Sequence, residues 1–381
     1  MRLLCLLICT FVPFGIGQAL AGVILEPAGD KHMYPFIQDM PPAGQRDYAS
    51  VFGAYGALDN IPGYDFDDRD SQFFIDFDTT GLISPGEGAQ NYHISSLEVW
   101  IVVQNNMAFT LDTSSDSLHS FQNIANDTDQ GRPIEIYGVG YRGGFSRETF
   151  SQDSPFASGL GYKNGRNAYA IDFNSDGATR DVSNNVEEAF QPNPWAIADA
   201  PGSIDYQGNF VSSPVAAGSS VPEGTVLRFS INLADPQVRA YVQSGLHAGR
   251  LHLMVSSLYN AVQQGSDIPK FYTKESDFHD PTGGVYLAPR MYAEVTLATT
   301  GTPPTPAVSL LRPTSSTFRV SFETQAGFLY VVESRDSLGY GVWRPKSQPI
   351  AGNGQTQIFD DSEVSPAGRR FYRVAVTANT P

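Results

Sequence analysis

The chain has 381 residues, with 40 Asp and Glu against 24 Lys and Arg, a formal net charge of −16, and 36 Gly and 26 Pro. The acidic surplus and the lack of a basic cluster exclude duplex binding, because phosphate recognition needs a cationic face. So many helix breakers exclude a coiled coil or helical bundle, and 41% hydrophobic residues exclude intrinsic disorder.

Met1-Arg2 is a short basic start, residues 3–16 are an apolar run broken by Thr10, Pro13 and Gly15, and Ala19-Leu20-Ala21 is a small-x-small site. This pattern predicts a secretory signal peptide over 1–21, cleaved after Ala21. The run is too short to cross a bilayer, so no membrane span is expected. The two cysteines, Cys5 and Cys9, lie inside it. The mature chain is therefore expected to have no disulfide, thiol nucleophile or cysteine-based metal site. Val23 stands where a lipidated Cys would be needed, so no lipid anchor is expected. The predicted location is secreted or at the cell surface, with the periplasm as the alternative.

A large region, 22–298, reads as mostly β. Apolar and β-branched runs at 72–77, 95–103, 134–137, 225–231, 251–255 and 291–297 predict strands. One helix is predicted between them. Asp235 is a good N-cap and Pro236 a good first residue. Val238, Tyr241, Val242 and Leu246 then share one helical face, and Gly249 can end the helix. Gly-, Asn-, Ser- and Asp-rich loops are expected over 104–132 and 143–222.

Gly138-Val-Gly-Tyr-Arg-Gly143 matches Gly-x-Gly-x-x-Gly, but no amphipathic helix follows, so a dinucleotide site is not expected. Glu135, Tyr137, Val139 and Tyr141 alternate onto one strand face, with Arg142 next. Flat rings stack on pyranose C–H groups and charged groups bind hydroxyls. Tyr137, Tyr141, Arg142 and Trp195, the last on a Pro-rich loop, are therefore the glycan-binding candidates; core packing is the alternative. Asp172, Asn174 and Asp176 fall at positions 1, 3 and 5 of an EF-hand-like loop, and Gly177 can turn it. The twelfth position is Ser183 rather than Glu, and Asp181 or Glu187 is the candidate replacement. A structural calcium is the expected occupant, with an Asx-rich surface turn as the alternative. Asp65, Asp67, Asp68 and Asp70 form a second acidic cluster, expected to be a solvated or salt-bridged loop. The chain has no His-Glu-x-x-His, Gly-x-Ser-x-Gly or Walker-type motif.

Residues 299–306, Thr- and Pro-rich, predict an extended linker. Beyond it, 307–381 reads as a compact sandwich with strands at 318–322, 328–332, 356–359 and 371–376. Trp343 is expected in its core.

The order of pieces over 70–103 and 224–298 resembles the DNRLRE-type domain, a secreted jelly-roll sandwich grouped with carbohydrate-binding modules. The opening residues are Phe73-Phe-Ile-Asp-Phe-Asp78 and Ile94-Ser-Ser-Leu-Glu-Val-Trp100. The closing ones are the helix, the strand 251–257, Phe271-Tyr-Thr-Lys-Glu-Ser276 and Pro289-Arg-Met-Tyr-Ala-Glu-Val295. Thr273-Lys274 stands where that family has Ser-Arg, and a long insertion separates the halves. The C-terminal region, through Tyr330-Val-Val-Glu-Ser334, Trp343 and Arg369-Arg-Phe-Tyr-Arg-Val374, resembles the fibronectin type III-like modules of secreted bacterial proteins. The resemblances imply an all-β protein: a large jelly-roll-like sandwich with long loops, then a small spacer or adhesion module. The leading expectation is a noncatalytic exported protein that binds a polysaccharide or cell-surface glycan. A structural envelope or matrix protein, and a polysaccharide lyase or hydrolase on a jelly-roll frame, are the alternatives.

Overall fold

Runs such as Phe73-Phe-Ile-Asp-Phe77 have large side chains at odd and even positions alike, so a strand built from them must be covered on both faces. A computed structural model shows how. It describes residues 18–24, 26–34, 46–53, 66–155, 163–205, 208–261, 267–276, 287–297, 305–314, 317–325, 328–336, 342–362 and 370–378. Strands hold 42% of the chain and helices 8%, which makes it an all-β sandwich protein. Among the described residues, no helix is long and apolar enough to cross a membrane.

In chain order the first strands are β1 (Gln18–Ile24), β2 (Gly29–Met33), β3 (Tyr48–Ser50), β4 (Gln72–Asp78), β5 (Tyr92–Val102), β6 (Glu135–Tyr141), β7 (Ala168–Phe173) and β8 (Thr179–Asp181). They continue as β9 (Ala196–Ile197), β10 (Asp199–Ile204), β11 (Phe210–Val211), β12 (Thr225–Ser230), β13 (Arg250–Ser256), β14 (Lys270–Tyr272) and β15 (Arg290–Leu297). The last are β16 (Val308–Leu311), β17 (Phe318–Glu323), β18 (Phe328–Arg335), β19 (Arg344–Pro345), β20 (Ile350–Ala351), β21 (Thr356–Asp361) and β22 (Phe371–Ala378). Two α-helices are described, α1 (Leu118–Gln122) and α2 (Pro236–Ala248). The strand β1 contains the cleavage position expected after Ala21; residues 1–17, with both cysteines, lie outside the described residues.

The chain divides into two compact units, one of Ile24–Thr80 with Glu98–Met291, the other of Met1–Val23, Gly81–Leu97 and Tyr292–Pro381. The linker expected at 299–306 lies, apart from Thr305 and Pro306, outside the described residues.

In the first unit, a sheet of order β2-β4-β13-β6-β7-β8 carries β9 beside β6, while β12 joins the end of β5 to β10 and β11, and β3 pairs β14. Register puts Phe73, Ile75 and Phe77 on the same side as Val255, Leu253 and Leu251, and Phe74 and Asp76 on the other with Met254 and His252. All ten are wholly buried. Each large apolar side chain so buried contributes about 1.5–3 kcal/mol. The helix α2 packs along β13. It starts as its sequence requires: the Asp235 carboxylate accepts from the backbone N–H of Gln237 and Val238, and Gly249 ends the helix in the left-handed region at φ 76°. Tyr241 donates to the His252 carbonyl, 2.9 Å, and accepts from the Val139 N–H, 3.0 Å, which ties α2 to β6 and β13.

The expected 143–222 loop is broken by β7, β8, β9, β10 and β11. These are short, and several carry Asp, Arg or Gly at positions where alternation would have shown an apolar face.

In the second unit, β15 lies between β1 and the first half of β5. Two further sheets, β16-β17-β21 and β19-β18-β20 with β22 also on β18, form a small sandwich. Its core is Phe318, Val320, Phe322, Tyr330, Val332, Tyr372 and Val376. Trp343 is not in it. The ring is half-buried, with the Arg373 and Arg335 guanidinium carbons 4.8 and 5.5 Å from its centre. Cation–π contact, rather than core burial, holds this tryptophan.

Candidate metal centre

The sequence-predicted glycan residues take up separate structural duties. Tyr137 is wholly buried; its hydroxyl donates to Glu135 Oε2, 3.1 Å, and Arg69 lies over its ring. Trp195 is 1% exposed. It stacks on Phe173 at 5.8 Å, meets Tyr241 edge-on at 4.8 Å, and lies against β6 where Gly138 has no side chain. Tyr141 is half-buried and hydrogen-bonded to His252 Nδ1. Arg142 lies 4.0 Å from the Tyr169 ring centre and pairs with Asp181. Buried rings cannot stack on a sugar, so Tyr137 and Trp195 form no platform. Gly138 and Gly140 are accounted for by packing, against Trp195 and against Tyr169 and Ile171, with no phosphate loop involved.

Tyr141, His252, Asp76 and Arg250 converge, as an enzyme would require. Yet His252 and Asp76 have no exposure, and the Phe74 and Phe150 rings pack around them. His252 and Asp76 are enclosed, while Tyr141 and Arg250 are half-buried.

The expected calcium loop is a β-hairpin. Asp172 faces Arg180 across β7 and β8, and its carboxylate accepts two guanidinium N–H bonds, 2.7 and 2.8 Å, plus the Asn193 N–H, 2.8 Å. Asn174 and Asp176 both accept from the Ala178 N–H at 2.9 Å, closing the turn in which Gly177 has φ 87°. Asp181 accepts from Ser183 N and pairs with Arg142. The same Asx–Gly spacing serves either purpose, and here the Asp172 carboxylate is taken up by Arg180 and the Asn193 N–H. In the other acidic cluster, Asp65 lies outside the described residues, Asp67 pairs with buried Arg166, and Asp68 accepts the N–H groups of Val186 and Glu187.

A different group of acids is assembled in the 104–132 segment. Asp112, Asp116 and Asp129 each bring a carboxylate oxygen within 4.8 Å of the others. The segment is braced before it reaches this point. Leu111 exchanges backbone hydrogen bonds with 218–219, and Gln191 bridges the Leu118 N–H and the Asp116 carbonyl at 2.6 and 2.8 Å. Gly131, at φ 108°, lets the chain pass Thr110, whose carbonyl would lie 2.7 Å from any Cβ. Arg132, seated on the Phe121 ring, places one nitrogen 2.7 Å from Asp116 Oδ2 and 2.6 Å from Asp127 Oδ2.

One guanidinium does not neutralise the group. Burial, aided by the charges of Asp129 and Asp127, raises the Asp112 carboxyl above its usual range. Burial pushes Asp116 up to about 6 against the pull of Arg132. Ser114 Oγ lies 2.9 Å from Asp112 Oδ1 and 2.6 Å from Asp129 Oδ2, and its single proton can serve only one of them. Asp112 is 3% exposed, and its Oδ2 is buried without a hydrogen-bond partner. A buried carboxylate oxygen left unsatisfied costs about 1–3 kcal/mol or more, and a bound cation is one way to relieve it. Hard oxygen donors alone suit calcium or magnesium rather than zinc. The sequence signal was Asp112-x-x-x-Asp116 followed by Asp127-x-Asp129 in a Ser/Thr/Asn-rich stretch, which matches no fixed motif.

No family model, curated protein or solved structure matches this chain.

Proposed function

We propose that this is an exported, noncatalytic β-sandwich protein of structural or adhesive type, whose 104–132 segment is fixed by a bound calcium ion. The reading is carried by three carboxylates with oxygens within 4.8 Å of one another, one of them on Asp112, whose Oδ2 is buried without a hydrogen-bond partner. The signal-peptide pattern of 1–21 supports export. Burial of Tyr137 and Trp195 favours this reading over a ring-stacking glycan binder.

Sites of this kind in extracellular modules bind calcium at about 10⁻⁴–10⁻³ M. At a hundredfold excess over Kd, binding adds about 2.7 kcal/mol of stability. For a unit the size of the one that holds the site, Ile24–Thr80 with Glu98–Met291, each kcal/mol moves Tm by about 2–4 °C. The melting temperature should therefore rise by about 5–10 °C between chelator and saturating calcium, and Asp112→Asn should abolish the rise. Equal melting temperatures in both buffers would refute the reading.

A further inference from the structure

Two acids elsewhere in the same unit meet with no donor between them. Asp30, on β2, is 1% exposed and stands opposite the buried Ile75 of β4. Its Oδ2 accepts the Lys274 backbone N–H at 2.8 Å, while its Oδ1 is buried without a hydrogen-bond partner. Glu275, in the turn after β14, repeats the pattern. Its Oε1 takes the Lys274 ammonium at 2.5 Å, and its Oε2 is buried without a partner. The two carboxyls lie within hydrogen-bonding reach of each other. Ionised carboxylates only accept, so two of them here would leave both oxygens unsatisfied and set like charges side by side. One carboxyl proton between them satisfies both.

We propose that Asp30 and Glu275 share one proton, and that this carboxyl–carboxylate clasp pins the 274–276 turn to β2 in acid and loosens as the pH rises. Burial, then the Glu275 charge, raises the Asp30 carboxyl well above its usual range, against the pull of the Lys274 N–H and ammonium. The folded chain therefore keeps a proton that the unfolded chain releases above about 3.8, so the clasp is complete in acid and lost as the pH rises through the folded value. Lys274 and Glu275 are the charged groups that face Asp30 from the turn. Along the same face of β2, His32 bonds to Ser50 and Ser71, and its own burial with the charges of Arg46, Arg166 and Lys270 holds its ring toward the neutral form. Lys31 points the other way, to the Gln152 and Ser154 carbonyls. Without the clasp the turn keeps the Thr273 bonds to the Arg46 and Asp47 carbonyls and its own bond from Ser276 N–H to the Thr273 carbonyl.

Amide hydrogen exchange on the whole chain tests the clasp, with protection of residues 271–276 measured at pH 5 and pH 9 and corrected for the intrinsic rate. The Lys274 N–H, which ends on Asp30, is the reporter. In the parent its protection should fall at least about tenfold between the two conditions. Asp30→Asn and Glu275→Gln each put a permanent N–H donor where the shared proton sat, and the remaining amide oxygen still accepts from Lys274. Each variant should therefore hold the fall to within about twofold. Equal protection of the parent at both pH values would overturn the proposal. A fall that persists in either amide variant would do the same, because it would place the titrating group elsewhere. A carbon-13 titration of the parent carboxyls checks the claim without a substitution: Asp30 should take up its proton well above the ordinary aspartate range, and an ordinary midpoint would overturn the shared proton.

Discussion

Replacing Gly138 by alanine tests whether Trp195 is a packing key. A Cβ at Gly138 would lie 2.1 Å from Trp195 Cη2 and 2.6 Å from Cζ2. Ordinary carbon contacts need about 3.5–4.0 Å, so the ring would have to retreat by roughly 1.5 Å. It has nowhere to go, being 1% exposed, stacked on Phe173 and abutting Tyr241. Overpacking costs about 1–3 kcal/mol, and a rigid ring against a central strand puts Gly138→Ala near the upper end, at about 3 kcal/mol. The gain from removing a strand glycine offsets about 0.5–1 kcal/mol of that. Trp195→Ala alone should cost about 3–5 kcal/mol. In the double variant the new methyl group enters the space the ring leaves, so its cost should fall below the sum by at least about 1 kcal/mol. Urea denaturation of the four proteins gives the cycle. Gly138→Ala within about 0.5 kcal/mol of the parent, or strictly additive effects, would refute the packing argument.

Arg69→Ala should destabilise by about 3–5 kcal/mol, since it strands the buried Glu135 carboxylate now 2.5 Å from the Arg69 guanidinium; chemical denaturation checks this. Asp235→Ala removes the cap of α2 and should cost about 1 kcal/mol, read as a small drop in urea midpoint with an unchanged slope. Burial pushes the Glu333 carboxyl from 4.5 up to about 7 despite its pairing with Arg373. The folded chain then holds a proton that the unfolded chain releases, so stability should fall as pH rises from 4.5 to about 7, by up to about 3 kcal/mol. Glu333→Gln should flatten that slope, and an unchanged slope in the variant would contradict the assignment.

Most long strands were legible because their residues had one physical option. Phe73 to Phe77 and Leu251 to Val255 are apolar runs of strand length, and Asp235, Pro236 and Gly249 punctuate α2 with the groups a helix needs at its ends. The strands β7 and β8 were not legible, because their stabilising pair is polar: Asp172 and Arg180 meet only across a hairpin whose register the sequence does not state. That pair also takes up the carboxylate that heads the expected calcium loop. Asp172, Asn174 and Asp176 have the right spacing, but spacing says nothing about whether an oxygen is already bonded. The Asp112, Asp116 and Asp129 group is the converse case. Its members come together because Arg132 gathers Asp116 and Asp127, Ser114 links Asp112 to Asp129, and Gln191 braces Asp116 from another part of the chain. Such long-range bracing leaves no mark in local sequence. The buried fates of Tyr137 and Trp195 were hidden for the same reason, since their neighbours Arg69, Phe173 and Tyr241 are distant in the chain.

The central claim is that Asp112, Asp116 and Asp129 hold calcium. An anomalous difference map from crystals grown in calcium tests it most directly. The account predicts a peak about 2.3–2.6 Å from a carboxylate oxygen of each of the three. A map with no peak there, or with its peak beside Asp172 and Asp176 instead, would contradict it.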